Sequence, residues 1–222
     1  MQYREISYKN QEEWLDIRKK GIGGSDAGAI MGKNKYRNII DVWKDKTGRV
    51  QNNFTSPAAQ RGKNLEKNIF NSYKEDHPDK KILEVNKMYV HPKYDFIRAN
   101  LDGEIIYQDK KGILEIKTAT ISKRNKYVEE WQDNIPKSYL YQILHYFLVT
   151  GYEYAVVVSE IKFECFKNEN STPFDLDKRL QTIVINRTDW EDEIQELLNK
   201  EIEFWEYVRN DTEPRMIKTY GG

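Results

Sequence analysis

The segment Asn100-Leu101-Asp102-Gly103-Glu104, followed beyond the turn Gln108-Asp109-Lys110-Lys111-Gly112 by Ile113-Leu114-Glu115-Ile116-Lys117, decides how this chain is read. The strand-like residues on either side of that turn, Phe96 to Tyr107 and Ile113 to Thr118, predict a long hairpin. Side chains alternate along a strand. Glu115 and Lys117 therefore share one face, while Leu114 and Ile116 point the other way into a core. An otherwise apolar strand thus carries a carboxylate and an ammonium side by side, and the partner strand brings Asp102 towards them. Two carboxylates with a backbone carbonyl make a hard oxygen site suited to Mg²⁺. A lysine beside such a cation can orient or deprotonate an attacking water, and the cation and burial are expected to depress its pKa. An acid, one residue and a lysine also recur by chance as an ordinary charged pair, so the tripeptide gains weight only from its apolar context and the upstream Asp-Gly.

Outward from the hairpin, the pattern is helical on the N-terminal side. A helix is expected over Gln11 to Lys19, with Asn10 and Glu13 as its capping box. Gly21-Ile22-Gly23-Gly24-Ser25-Asp26 reads as a tight turn with Ser25 as N-cap of a short helix. Further helices are expected over Asn38 to Lys46, stopped at Gly48, and from Ser56-Pro57 to about Glu75, with Leu65, Ile69 and Tyr73 on one face. Ile82 to Val90 is strand-like. Beyond the hairpin, an apolar helix follows Ile135-Pro136 and ends at Gly151. Tyr154 to Ile161 and Leu180 to Asn186 are strands, the first apolar enough to be buried on both faces. Thr188 to Arg209 is a long acidic helix with Thr188 and Glu191 as capping box. This order predicts an α/β or α+β domain with a central mixed sheet flanked by helices. It is expected to be one domain over 1–222, with a core of about 10–210 and a flexible tail over 211–222.

Composition sets the outer bounds. The 222 residues carry 36 basic and 36 acidic side chains, a single cysteine (Cys165), and no apolar run long enough to span a membrane. An internal disulfide is excluded and a cysteine-based zinc site is not expected. The N-terminus has no signal-peptide apolar core, which points to the cytoplasm. Zero net charge does not exclude nucleic acid, because the charges are segregated. Met31 to Asn64 holds eight basic and two acidic residues, Lys110 to Lys126 six and one, and Thr188 to Glu213 two and ten. A basic face can meet phosphate while an acidic helix faces elsewhere, although such runs are as often plain solvated surface.

Asp102 with Glu115-Ile116-Lys117 resembles the PD-(D/E)xK nuclease motif, with Leu101 in place of its usual proline. More of the chain resembles the phage lambda exonuclease and YqaJ-type viral recombinase family. Trp14-Leu15-Asp16-Ile17-Arg18, with Ser25 seven residues beyond the arginine, is similar to its opening motif. Arg61-Gly62-Lys63-Asn64-Leu65-Glu66 resembles its Arg-Gly-x-x-x-Glu helix, and Ser138-Tyr139-Leu140-Tyr141-Gln142 the helix that supplies a glutamine. The ordered motifs cover residues 10 to 160.

The resemblance implies a restriction-endonuclease-like fold and a Mg²⁺-dependent 5′→3′ exonuclease on linear double-stranded DNA. Such an enzyme leaves 3′ single-stranded tails for an annealing protein. Asp102, Glu115 and the carbonyl of Ile116 would be metal ligands, with Glu66 holding a second Mg²⁺ or a metal-bound water; Mn²⁺ is an expected substitute. Lys117 would activate water and Gln142 would position it or the lysine. Gly62 would keep the Glu66 helix slim against the sheet. Arg18, Ser25 and Gly24 would receive a terminal 5′-phosphate, with Arg61 also on DNA. The resemblance further implies a ring of three subunits, encoded by a phage or a prophage in a bacterial host. An endonuclease on the same fold and a catalytically silent DNA-binding module are the alternatives. Outside this set, Tyr36, Tyr127 and Trp131 are candidates for stacking on bases, His145 reads as a satisfied core residue, and Cys165 as a small buried hydrophobe.

Overall fold

The computed structural model describes residues 3–50, 57–164 and 178–216. Its elements in chain order are β1 (Arg4–Ser7), α1 (Gln11–Lys19), α2 (Gly24–Ile30), α3 (Ile39–Lys46), α4 (Pro57–Asp76), β2 (Lys81–Glu84), β3 (Lys87–Val90), β4 (Arg98–Ala99), β5 (Gly103–Tyr107), β6 (Lys110–Ile121), α5 (Arg124–Glu130), α6 (Lys137–Thr150), β7 (Tyr154–Phe163), β8 (Lys178–Asn186), a 3₁₀ turn (Arg187–Trp190) and α7 (Glu191–Arg209). The main sheet has five strands in the order β2-β5-β6-β7-β8, with β6 and β7 parallel and every other pair antiparallel. A second sheet has the order β1-β3-β4. The mixed sheet flanked by helices is the architecture that the sequence predicts.

The decisive hairpin is β5–β6. Its two-residue turn, Gln108 and Asp109, has both φ angles positive, as a tight hairpin requires. Gly103 pairs with Leu114, which brings Asp102 alongside Glu115. Odd residues of β6 face α6: Ile113 packs with Leu144, Phe147, Ala155, Val157 and Ile185. Even residues face α4: Leu114 and Ile116 pack with Ile69, Phe70, Tyr73, Val156 and Val158. Residues 141–150 of α6 are all buried, which is why this helix reads as apolar all round instead of striped. Gly151, with φ +70°, ends it in the left-handed conformation that glycine adopts without strain.

Several boundaries differ from the sequence reading. Ile82 to Val90 is two strands in different sheets, broken at Val85-Asn86. The segment from Phe96 likewise breaks at Asn100–Asp102, so the first candidate carboxylate, Asp102, sits between strands. α2 is capped by Gly23 and not by Ser25: the Asp26 carboxylate accepts the Gly23 N–H (3.0 Å), which leaves the serine hydroxyl to other partners. Asn10 caps α1 by accepting from Glu13 N–H (2.9 Å), but the Glu13 carboxylate turns back one residue further, to Lys9 N–H (2.7 Å). No side chain caps α7: Thr188 lies in the preceding 3₁₀ turn. In the expected tail, Asp211 pairs with Arg49 (2.7 Å) and Pro214 is buried; residues 217–222 and Cys165 lie outside the described residues.

Candidate active site

Glu115 is the centre of the site and is 2% exposed. Its Oε1 accepts hydrogen bonds from Lys117 Nζ and from Gln142 Nε2 (2.7 Å). Gln142, from α6, also donates to the Tyr146 hydroxyl (2.7 Å), so it fixes the carboxylate and not the lysine. Asp102 Oδ2 accepts the Ile116 N–H (2.7 Å), which pins the inter-strand segment to β6. Burial, and then the adjacent Asp102 charge, push the Glu115 carboxyl up to about 8. Burial also raises Asp102, only partly countered by Lys117 and the Ile116 N–H. Burial would lower Lys117, but Glu115 and Asp102 outweigh it and hold the ammonium above its ordinary value. With both carboxylates bare the ammonium is favoured; the expected depression belongs to the cation-bound site.

Two adjacent carboxylates, each pushed up by burial, are relieved by a cation. Glu115 Oε2 is buried and has no hydrogen-bond partner, and Asp102 beside it offers further carboxylate oxygen. That set fits Mg²⁺ or Mn²⁺. Among the described residues no three His, Cys, Asp or Glu side chains gather as a metal cluster, so the fit rests on the carboxylate pair. Glu66 lies on α4, lines the same cleft and is close enough to act electrostatically on Glu115. Gly62 is as close to the sheet as expected: a Cβ there would stand 3.0 Å from Thr118 Oγ1. The side chain of Arg61 lies outside the described residues.

The cleft, about 1160 Å³, is lined by Asp102, Lys117, Glu66 and Tyr139 and runs on to Asn100, Trp14 and Arg18. Those last three also line a smaller cavity of about 130 Å³ with Gly23, Gly24, Ser25, Arg98, Gln142 and Tyr146. Arg18 Nη2 donates to Ser25 Oγ (2.7 Å), and its guanidinium lies 5.1 Å from the centre of the Trp14 ring. Trp14 Nε1–H in turn donates to Asn100 Oδ1 (3.3 Å), two residues before Asp102. The motif residues Arg18, Ser25 and Gly24 are thus brought together one turn of α6 away from the carboxylates. Gly24 serves packing more than ligand approach: a Cβ there would lie 2.5 Å from Tyr146 Cε1 and 2.9 Å from Gln142 Cγ.

Three participants are absent from the sequence reading. Asp26 is fully buried and held well below the usual carboxylate range: burial opposes, but Lys46 (2.8 Å) and Arg37 (2.6 Å) prevail. Lys46 also donates to the Arg18 carbonyl (3.3 Å), so this ion cluster ties α1 to the first turn of α2 beneath the cavity. The Gly-Gly-Ser-Asp string carried the signal for Asp26. Tyr146, one helical turn from Gln142, was legible only as a core aromatic. Arg98 carried no signal. Of the stacking candidates, Trp131 is buried at 2% exposure and Tyr127 packs on Phe163, while Tyr36 is 84% exposed beside Lys126. His145 is buried against Glu201 (2.6 Å).

A family model described as the YqaJ-like viral recombinase domain matches residues 13–153. The chain belongs to this family. The match begins just before Trp14 and ends just before β7, so it spans the cavity, the cleft and α6 of the YqaJ-like domain. A curated relative, the uncharacterized protein YqaJ of Bacillus subtilis (strain 168), is 40% identical over 170 residues, 72% of this chain. The chain spans about half (51%) of that relative's length. Among solved structures, the alkaline exonuclease LHK-Exo of Laribacter hongkongensis has a TM-score of 0.58 at 22% identity, covering 90% of this chain and 97% of that one. The same enzyme has been solved in complex with dAMP (TM-score 0.57). A phage related exonuclease from Haemophilus somnus 129PT has a TM-score of 0.58 at 14% identity, covering 86% and 96%. At these identities the likeness is one of fold: this YqaJ-like domain is folded as the phage-type exonucleases are.

Proposed function

We propose that this chain is a metal-dependent 5′→3′ exonuclease that acts on linear double-stranded DNA. It leaves 3′ single-stranded tails for a strand-annealing partner in phage-type recombination. The observation that carries the reading is the buried Glu115, hydrogen-bonded by Lys117 and Gln142 beside Asp102, opening on a cleft continuous with the Arg18–Ser25 cavity. An endonuclease has no use for a basic side cavity next to its reacting centre, whereas an enzyme that starts from a phosphorylated terminus does. The relative solved with dAMP, a nucleoside monophosphate, supports the same choice.

In this reading Asp102, Glu115 and the Ile116 carbonyl hold Mg²⁺, with Glu66 on a second ion. The bound cations supply Lewis-acid stabilisation of the charge that develops on the phosphodiester oxygens. The protein's own contribution is positional. Gln142 keeps Glu115 in one rotamer. With a cation offsetting the two carboxylates, Lys117 would lose a proton to solvent and, as the neutral amine, accept the proton of the attacking water. Arg18 and Ser25 seat the terminal 5′-phosphate, and the Asn100–Trp14 contact sets its distance from Asp102. A ring of three copies around the duplex would keep the enzyme on its substrate, and only its lining need be basic.

The test is digestion of linear and covalently closed circular duplex with Mg²⁺ or EDTA, by the chain and by Lys117→Ala. Linear DNA lost only with Mg²⁺, an intact circle, and a rate reduced about 10²–10⁴-fold in Lys117→Ala are expected. A cut circle would replace the exonuclease with an endonuclease. DNA bound but never cleaved would replace it with a silent binding module.

A further inference from the structure

The 130 Å³ cavity holds a cation that neither the motifs nor the proposed function uses. Arg98 reaches it from β4, by way of the space left by Gly21, where a Cβ would lie 2.9 Å from Arg98 Cδ. Its guanidinium is fixed in orientation: Nε donates to the Asp95 carbonyl (2.8 Å) and Nη1 to the Ile17 carbonyl (2.6 Å). Both partners are neutral. Among the described residues neither Arg98 nor Arg18 forms an ion pair, and no acidic side chain lines the cavity. Asp26, the buried carboxylate on which Arg18 acts, has Oδ1 committed to Arg37, and Oδ2 to Lys46 and the Gly23 N–H. Asp95 acts on Arg98 through space but is exposed and forms no ion pair with it, and Arg4 opposes it with a further positive charge. A half-buried guanidinium costs free energy unless a counter-charge meets it. Here two of them converge on one small cavity with a serine hydroxyl.

We propose that Arg98 is the second guanidinium of a terminal-phosphate site, and that the Arg18–Arg98 pair selects a phosphate monoester over an internal phosphodiester. A monoester carries about −1.5 to −2 charges near pH 7 and three terminal oxygens. A diester carries one charge and two free oxygens. Arg98 has three N–H groups beyond those used on carbonyls, enough for a two-pronged hold on phosphate. Rigid attachment to two main-chain carbonyls means that little side-chain entropy is lost on binding. The inference deepens the exonuclease reading and rests on it for its substrate, but anion binding can be read without any cleavage.

Melting temperature is measured in inorganic phosphate against chloride of equal ionic strength, for the chain and for Arg98→Met, Arg98→Lys and Arg18→Ala. A phosphate-dependent rise is expected in the chain, lost in Arg98→Met and reduced in Arg98→Lys, which keeps the charge but not the planar fork. In digestion, the ratio of kcat/KM for 5′-phosphate over 5′-hydroxyl ends is expected to fall about tenfold in Arg98→Met, through KM. Should Arg98→Met fail to fold, Arg98→Lys carries both measurements. A phosphate shift that survives the Arg98 change overturns the proposal, and so does a ratio abolished by Arg18→Ala but untouched at Arg98. If no DNA is digested by any variant, the exonuclease reading fails and the phosphate shift still decides the site.

Discussion

Replacing Glu201 by alanine should cost this protein a large part of its stability. Glu201 on α7 and His145 on α6 are both fully buried, joined Oε1 to Nδ1 at 2.6 Å. His145 Nε2 meets the Arg98 carbonyl at 2.8 Å. A carbonyl only accepts, so Nε2 carries a proton. A carboxylate at Nδ1 then favours the imidazolium: burial would lower the His145 pKa, but Glu201 outweighs burial and raises it. Removing one member of such a pair strands the other charge in a dry interior, at about 3–5 kcal/mol. For a chain of this size that is roughly 10 °C in Tm. Glu201→Gln should cost only about 1 kcal/mol, because its amide can donate to a neutral Nδ1. The pH dependence follows from the raised value. The pair's contribution is complete below the unfolded histidine pKa of about 6.5 and is lost as pH rises through the folded value. Thermal unfolding followed by circular dichroism between pH 5 and 9 reads both effects. The Tm gap between the chain and Glu201→Gln should narrow as pH rises. A Glu201→Ala loss below about 1 kcal/mol, or a gap that does not change with pH, would refute the reasoning.

The carboxylate pair gives the opposite kind of result. Glu115→Gln should stabilise the metal-free protein at pH 8 by roughly 1–3 kcal/mol and abolish DNA cleavage, because burial and the Asp102 charge disfavour the carboxylate by more than Lys117 stabilises it. In EDTA the Glu115 contribution should fall as pH rises from its ordinary 4.5 towards 8, since the folded state holds the proton more tightly, and Mg²⁺ titration should restore the lost Tm. Gly24→Ala should lose about 1–3 kcal/mol, since its methyl would fall 2.5 Å from Tyr146 Cε1; a variant as stable as the parent would show that α2 and α6 yield easily. Gln142→Leu should lower kcat while leaving KM for DNA nearly unchanged, because Gln142 orients Glu115; a rise in KM alone would place it in DNA binding.

What the sequence made legible was local. Period-two alternation put Glu115 and Lys117 on one face, and the hairpin that brings Asp102 to them was legible too, although its turn is the two residues Gln108 and Asp109 and not the five from Gln108 to Gly112. The apolar density of α6 identified a buried helix, and Pro57 and Gly151 marked helix ends correctly. What escaped was set by contacts between distant segments. β1 has four residues and one partner strand, too short for a periodic signal. α5 has seven residues and no buried side chain, so it shows no apolar stripe. The break at Val85-Asn86 exists because the two halves of an apparently continuous run pair with different sheets. Asp26 was read as part of a turn, because its partners Arg37 and Lys46 lie on a loop and a helix that only the fold brings beneath it. Arg98 looked like one more charge on a strand, and the pairing with two carboxylates that favours the Lys117 ammonium in the bare site depends on contacts that only the fold makes.

The most direct test of the account is strand-resolved digestion. A linear duplex labelled on one strand at either end, with 5′-phosphate or 5′-hydroxyl termini, is incubated with the chain and Mg²⁺. The account predicts that each strand shortens only from its 5′ end, faster from a 5′-phosphate, with a label at its 3′ end retained. Shortening from the 3′ end, or equal rates from both termini irrespective of phosphate, would contradict it.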